Sequence, residues 1–308
     1  MSQLDDKRDP SSVMRFRNLL LLTAGMVYLL IVIGGIVRVT GSGLGCPDWP
    51  RCFGEWIPPM RLDAIIEYTH RLVATLTSPL ILTSAVLAWW RFRELRLLSR
   101  SLLAAALLLA VQGLLGGVVV LLETPPNLVA VHLIVAFLIQ SLILLPLVLT
   151  SLSRRINMDT AKLSFSNSFS RHVLYMLAAI FLMIVSGAIV VGSNSTYACS
   201  GWPLCNGQLI PTNPLGLLHM FHRLMVLLAS ISLLRVYLLS LANKSLHKQS
   251  QTALKVLAWL FLAQATAGAL KVSLAFPVWL LGLHVALASA VWLSAIVFSS
   301  LVALSEDE

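Results

Sequence analysis

Four of the seven histidines in this 308-residue chain stand at a repeated spacing inside apolar sequence. His70 and His132 are 62 residues apart, and so are His222 and His284. An imidazole in hydrocarbon is costly and marks a site whose partner has to be named. Two opposed imidazoles without carboxylate or thiolate companions make a poor zinc or copper cage. They suit the two axial positions of a haem iron held between bundle helices. A lone intramembrane histidine commonly bonds a neighbouring carbonyl. A depth-matched set of four argues instead for two haem sites.

The elements that must position these rings follow from composition. The chain is 58% hydrophobic and 11% charged, with mean hydropathy +0.87, whereas charged residues supply about a quarter of a soluble domain. A soluble enzyme, a disordered chain and a secreted disulfide miniprotein are thereby excluded. Apolar runs fall at about 18–39, 66–90, 101–122, 128–150, 172–192, 216–241, 252–274 and 278–302. Each reaches the roughly 20 residues a spanning helix needs, and backbone in a bilayer core must be helical. The first run is too long for a cleavable signal and leads into Gly-rich sequence.

Lys and Arg set the orientation. Lys7, Arg8, Arg15 and Arg17 precede the first run; Arg91, Arg93, Arg96 and Arg100 lie after the second. Arg154, Arg155, Lys162 and Arg171 follow the fourth, and Lys244, Lys248 and Lys255 the sixth. The other loops hold Arg51 and Arg61, with Arg38 and Lys271 at run ends. The positive-inside rule places both termini in the cytoplasm and loops one, three, five and seven outside. The net charge of +9 is therefore a topology signal and not a nucleic-acid footprint.

The second half copies the first. Cys46-Pro-Asp-Trp-Pro-Arg-Cys52 and Cys199-Ser-Gly-Trp-Pro-Leu-Cys205 share C-x-x-W-P-x-C at a displacement of 153. Gly35 is matched with Gly187, His70-Arg71-Leu72 with His222-Arg223-Leu224, Gln112 with Gln264, Gly116 with Gly268 and His132 with His284, each at 152. The expected fold class is an all-α integral membrane protein with eight transmembrane helices, arranged as two parallel-repeated four-helix bundles. The expected division is a cytoplasmic tail 1–17, a first half 18–151, a cytoplasmic linker 152–171, a second half 172–302 and a tail 303–308.

Within that symmetry the halves differ. Glu67 precedes His70 by one helical turn, where the second half has His219. A carboxylate there can move protons or stabilise positive charge on a substrate carbon; the plainer reading is a carboxylate favoured by a helix N-terminus. The asymmetry points to the first half as catalytic and to the second as carrying a permanent haem. His219 is an alternative ligand or polar filling at a loop edge. Arg71 and Arg223 follow the histidines and either clamp haem propionates or snorkel to lipid phosphate. Lys271, whose twin is Val119, either pairs a propionate or anchors the surface.

Gly34, Gly35, Gly113, Gly116, Gly117, Gly187 and Gly268 either pack helices closely or admit a flat macrocycle. The cysteines, on the oxidising side, can reach disulfide geometry and lack the C-x-x-C spacing of a zinc knuckle. A structural staple and a redox couple both fit them.

Gly41-Ser42-Gly43-Leu44-Gly45-Cys46, Trp49-Pro50, Glu67-Tyr68-Thr69-His70-Arg71 and the duplicated histidines together resemble the haem A synthase family, from about Leu19 to the end of the last run. The resemblance implies an oxidoreductase that oxidises a ring methyl of haem O to a formyl group, by successive hydroxylations and loss of water from a gem-diol, for terminal oxidase cofactor biosynthesis. It implies that His70 and His132 hold the substrate haem O near Glu67, and that His222 and His284 bind haem b. It implies disulfides in the two cysteine loops and a bacterial cytoplasmic membrane location. Haem O synthase (a farnesyltransferase) and an oxidase assembly factor are the implied partners, with membrane lipid around the chain.

Three other readings compete. A dihaem b-type electron-transfer cytochrome explains four histidines but gives Glu67 no task, and it predicts haems at opposite depths. A membrane thiol–disulfide oxidoreductase leaves the histidines idle. A haem transporter would bind haem without altering it.

Overall fold

The computed structural model describes residues 10–304 apart from 154 and 194. The expected charges at Lys7, Arg8, Arg154 and the acidic end from Glu306 lie outside the described residues. Eight helices are long and apolar enough to cross a bilayer: α1 (Pro10–Val39), α2 (Leu62–Arg91), α3 (Arg96–Leu121), α4 (Pro126–Ser151), α5 (Ser168–Gly192), α6 (Pro214–Ala242), α7 (Lys248–Ser273) and α8 (Val278–Leu304). A short 3₁₀ turn, Ser195–Tyr197, precedes the second cysteine loop. The described residues contain no strand, only isolated bridges at Cys52–Glu55 and Cys205–Gln208.

Several helices run past the apolar limits read from the sequence, most visibly α1, which begins at Pro10 and not near residue 18. Helical hydrogen bonding continues wherever residues tolerate it, while apolarity is demanded only across roughly 30 Å of hydrocarbon. Starts are marked by local chemistry. Asn167 Oδ1 accepts from Ser170 N–H at 2.8 Å, and Asn213 Oδ1 from Gly216 N–H at 2.6 Å, satisfying donors left over in a first turn. Pro126 and Pro214 occupy first-turn positions, where a missing N–H costs nothing.

Packing sorts the helices into inner and outer sets. Helices α1, α4, α5 and α8 touch one another through the α1–α4, α1–α8, α4–α5, α4–α8 and α5–α8 interfaces. Helix α2 lies against α1 and α3, and α3 against α4; α6 lies against α5 and α7 against α8. Burial follows: 61% of the most apolar window of α8 is inside the protein, against 11% for α3. The α2–α3 contact is extensive, while α6 and α7 meet only briefly.

Polar pairs tie α4 to α8 in mid-membrane. Gln140 Nε2 donates to Ser289 Oγ at 3.3 Å, and Trp292 Nε1 to the Phe137 carbonyl at 3.1 Å and Ser141 Oγ at 2.9 Å. Close approach needs glycine at two interfaces. A Cβ on Gly35 would lie 2.5 Å from Val285 Cγ1, and one on Gly192 2.5 Å from the Pro126 carbonyl.

The continuous apolar core fills the part of the molecule nearer the termini. Its buried members reach outward to Ile31, Ile81, Ala105 and Phe137 in the first half and to Ile184, Ala229, Phe261 and Val291 in the second. The four repeated histidines sit beyond that limit, beneath the cysteine loops.

Candidate functional site: paired histidine layers beneath disulfide loops

Each repeated histidine rests on a glycine of the neighbouring helix. A Cβ on Gly34 would lie 3.0 Å from His70 Cε1, and one on Gly116 3.2 Å from His132 Cε1. The second half repeats this, with Gly187 at 3.0 Å from His222 Cε1 and Gly268 at 3.1 Å from His284 Cε1. Glycine is the one residue that lets these rings lie flat against the next helix. The match corrects one pairing drawn from sequence: Gly187 is the counterpart of Gly34, displaced by 153, and not of Gly35. The register changes only after the cysteines, because 17 residues separate Cys205 from His222 where 18 separate Cys52 from His70.

The rings are half-buried and short of partners. His70, His132 and His284 each have a buried Nδ1 without a hydrogen-bond partner. His222 Nδ1 is bonded to Ser186 Oγ at 2.9 Å, and His284 Nε2 lies 3.3 Å from Gln264 Nε2. Gln112, the twin of Gln264, donates instead to the His132 carbonyl at 3.0 Å. Orphaned imidazole nitrogens in a bilayer are expensive unless another group satisfies the ring. His70 and His132 come from non-adjacent helices, α2 and α4, and lie within electrostatic range of each other, as do His222 and His284. No group of three or more His, Cys, Asp or Glu residues could hold a metal among the described residues. His70 with His132, and His222 with His284, are the residues of each half that could hold a haem iron.

The cysteine loops close over these layers. Cys46 is bonded to Cys52 and Cys199 to Cys205, with S–S distances of 2.00 and 1.98 Å. Both loops carry a cis Trp–Pro bond, at Trp49–Pro50 and Trp202–Pro203. Asp48 accepts from the N–H groups of Phe53 and Gly54 at 2.6 and 2.7 Å. Those bonds, Gly54's foremost, hold its carboxyl below the usual carboxylate range. Loop five uses Asn206 in a comparable way, accepting from Ser200 N–H at 2.9 Å.

Arg71 and Arg223 reach up to the loops. Arg71 Nη1 donates to the Asp48 and Arg51 carbonyls, both at 2.7 Å, and Nη2 to the Cys46 carbonyl at 2.9 Å. Arg223 donates to the Pro203 and Gly201 carbonyls at 2.8 and 2.9 Å. Sequence reasoning offered propionate or lipid phosphate as partners and missed this loop-holding role, because nothing local in a sequence marks carbonyls 20 to 25 residues upstream. The first half adds a carboxylate. Glu67 is buried, one Oε accepting from Cys46 N–H at 2.8 Å and the other from Arg71 Nη2 at 2.5 Å. Glu67 thus lies one turn from His70, as expected, and also ties α2 to the first disulfide.

The second half has no carboxylate at that place; a histidine stands there, with a lysine nearby. His219 is buried with an unpartnered Nδ1. Lys271, in the last turn of α7, is buried and within electrostatic range of His219, His222, His284 and Arg223. Loop one also has a seat on α3. Trp49 packs on Gly117, where a Cβ would lie 3.0 Å from its Cδ2. Ala269 stands at the equivalent place in the second half.

The sequence matches the family model described as COX15-CtaA, cytochrome oxidase assembly protein, over residues 17–65 and 61–296. It is 35% identical over 226 residues to a "Heme A synthase" of Alkalihalophilus pseudofirmus, covering 71% of this chain and 75% of that one. A "Heme A synthase" of Halalkalibacterium halodurans is 33% identical over 234 residues, covering 75% of this chain and 77% of that one. One of Geobacillus kaustophilus is 28% identical over 281 residues, covering 88% and 84%. With two histidine layers under duplicated disulfide loops and a model match running through both halves, the chain belongs to the COX15-CtaA family of cytochrome oxidase assembly proteins.

Proposed function

We propose that this chain is an oxidoreductase of haem A biosynthesis that oxidises a ring methyl of haem O to a formyl group. The observation that carries the reading is the pair of histidine layers, alike in their glycine seats and unlike in the charge beside them. The named relatives support the pathway, and the asymmetry supports two unlike sites. The first half, 18–151, takes haem O between His70 and His132. The second, 172–302, keeps haem b between His222 and His284. The two halves act as parallel four-helix units joined through α1, α4, α5 and α8.

Haem b supplies redox chemistry that side chains lack. The chain's own residues do the rest. The four imidazoles would hold the two haems, and the glycines beneath them keep the imidazole rings flat against helices α1, α3, α5 and α7. Glu67 sets an anionic carboxylate one turn from His70, where it stabilises positive charge developing on a substrate carbon. Arg71 partly offsets that charge and holds the loop that covers the site. In the second half Lys271 would pair a propionate of haem b, with Arg223 nearby in its loop-bound position. The two disulfides act as staples that keep each loop closed over its layer.

The bacterial relatives support a cytoplasmic membrane as the chain's location, and the positive-inside rule favours both termini on its cytoplasmic side with the histidine layers toward the outer face. Haem O arrives from a membrane farnesyltransferase, and the product leaves to an oxidase assembly partner. The test is supply of haem O, under air and with reductant, to membranes holding the chain. Haem A formed by the wild type and not by His70→Ala supports the proposal; haem O recovered unchanged from the wild type refutes it. Unchanged recovery would favour a carrier, and two b haems per chain would favour the dihaem cytochrome.

A further inference from the structure

A second site lies at the opposite end of the molecule from the histidines. A cavity of about 650 Å³ opens among the start of α1, the end of α2, the α4–α5 connection and the start of α7. On α1, Pro10, Val13, Met14 and Arg17 face it at helical spacing. Its floor is apolar: Val13, Phe92 and Leu95 are buried, and the Phe92 ring packs on Phe16 at 4.8 Å. Its rim carries three cations, Arg17, Arg91 and Arg155, and two carboxylates, Glu94 and Asp159.

The charges on that rim are unevenly satisfied. Glu94 is bonded to Arg93 at 3.4 Å, and Arg155 Nη1 donates to Gln249 Oε1 at 3.2 Å. Arg17 and Arg91 have no side-chain hydrogen bond or ion pair with any described residue. Two guanidinium groups over an apolar floor call for an anion that carries apolar substituents.

Depth identifies the anion's source. Arg17 and Arg38 are 21 residues apart on one helix, about 32 Å at 1.5 Å per residue, close to the hydrocarbon thickness of about 30 Å. Arg17 therefore lies at one hydrocarbon edge, where phosphate headgroups sit. Trp89 and Trp90, both exposed, directly precede Arg91, and tryptophan collects at that level. Below Arg17 on the same face, Leu21 is 61% exposed, leaving a track for an acyl chain.

We propose that this cavity binds the phosphodiester headgroup of an anionic glycerophospholipid from the leaflet on the side of the termini, with Arg17 and Arg91 as its phosphate ligands. Basic pockets between membrane helices on that side take such headgroups. The proposal stands independently of the haem reading, since it uses no residue of the histidine layers.

The experiment is native mass spectrometry of the delipidated full-length chain, titrated with phosphatidylglycerol or with phosphatidylcholine of matched acyl chains. Arg17→Gln/Arg91→Gln and Arg91→Gln alone serve as variants, and a further titration includes millimolar inorganic phosphate. The expected result is one phosphatidylglycerol per chain, bound about tenfold or more tightly than phosphatidylcholine. The double variant should lose that preference, and inorganic phosphate should not displace the lipid. Equal retention of the two lipids, or an undiminished preference in the double variant, overturns the proposal. Displacement by inorganic phosphate overturns the lipid assignment in favour of a free-phosphate site. If the double variant does not fold, Arg91→Gln must still weaken the preference severalfold, and an unchanged preference is again a refutation.

Discussion

Replacing Glu67 by Gln tests how the first disulfide loop is held. The two carboxylate oxygens face two donors, Cys46 N–H and Arg71 Nη2, at 2.8 and 2.5 Å. Glutamine offers one acceptor and one NH₂, so whichever way the amide turns, one donor meets another donor. Removing one partner of a buried ion pair costs about 3–5 kcal/mol. The Arg71 side chain is 15% exposed, and its bonds to loop carbonyls survive, so the lower end applies. About 3 kcal/mol is on the order of a 100-fold rise in the open population of the loop. The assay is thiol–disulfide exchange with a small reductant and trapping of the freed thiols, read separately at Cys46–Cys52 and Cys199–Cys205. The second loop is an internal reference, because Arg223 secures it with no carboxylate. A ratio of the two exchange rates that stays within about threefold of wild type refutes the reasoning. If the ratio rises as expected, lost turnover in this variant reports loop opening as well as chemistry.

Gly187→Val should push the His222 ring off its seat, since the new Cβ starts 3.0 Å from Cε1; pyridine haemochrome analysis should find about half the wild-type haem, as for His222→Ala. Gly117→Ala should unseat Trp49, raising Trp fluorescence quenching by a soluble quencher while leaving loop five unaffected. Asp48→Asn should remove a pH dependence. Because the Asp48 carboxyl titrates below its ordinary value when folded, its contribution is fully present above the unfolded value of about 3.9 and is lost as pH falls through the folded value. Read with a phosphine reductant, which needs no thiolate, the ratio of cleavage at Cys46–Cys52 to cleavage at Cys199–Cys205 should therefore rise as pH drops below about 4 in wild type, and Asp48→Asn should show a high ratio at every pH.

Much of the architecture was legible because a bilayer leaves the chain few choices. The eight apolar runs, the basic loops and the 152-residue displacement each have one simple cause, and the eight helices follow from them. The same economy exposed the four histidines, since charged or polar groups in apolar runs are rare enough to be noticed. Backbone symmetry in the loops was invisible. Glu123 and Thr124, like Ala275 and Phe276 displaced by 152, have positive φ, although none of the four is a residue type that announces such a turn.

What stayed hidden was contact at a distance. Arg71 and Arg223 looked like ligands for something outside the chain, but their donors reach loop carbonyls more than 19 residues earlier. Asp48 gave no sign that it would order Phe53 and Gly54, since its spacing to them suits no standard turn. The Gly34–His70 seat was misregistered by one because the insertion lies between the cysteines and the histidine, where no motif marks it. The seat of Trp49 was readable in principle, from Gly117. It required knowing that α3 passes beneath loop one.

The most direct test of two unlike haem sites is acid-acetone extraction and chromatography of the haems bound to the chain, purified from cells that also make haem O. The account predicts haem A or a hydroxylated haem O together with haem b, with His70→Ala losing the former and His222→Ala the latter. Haem b alone, at two per chain in the wild type, would contradict it.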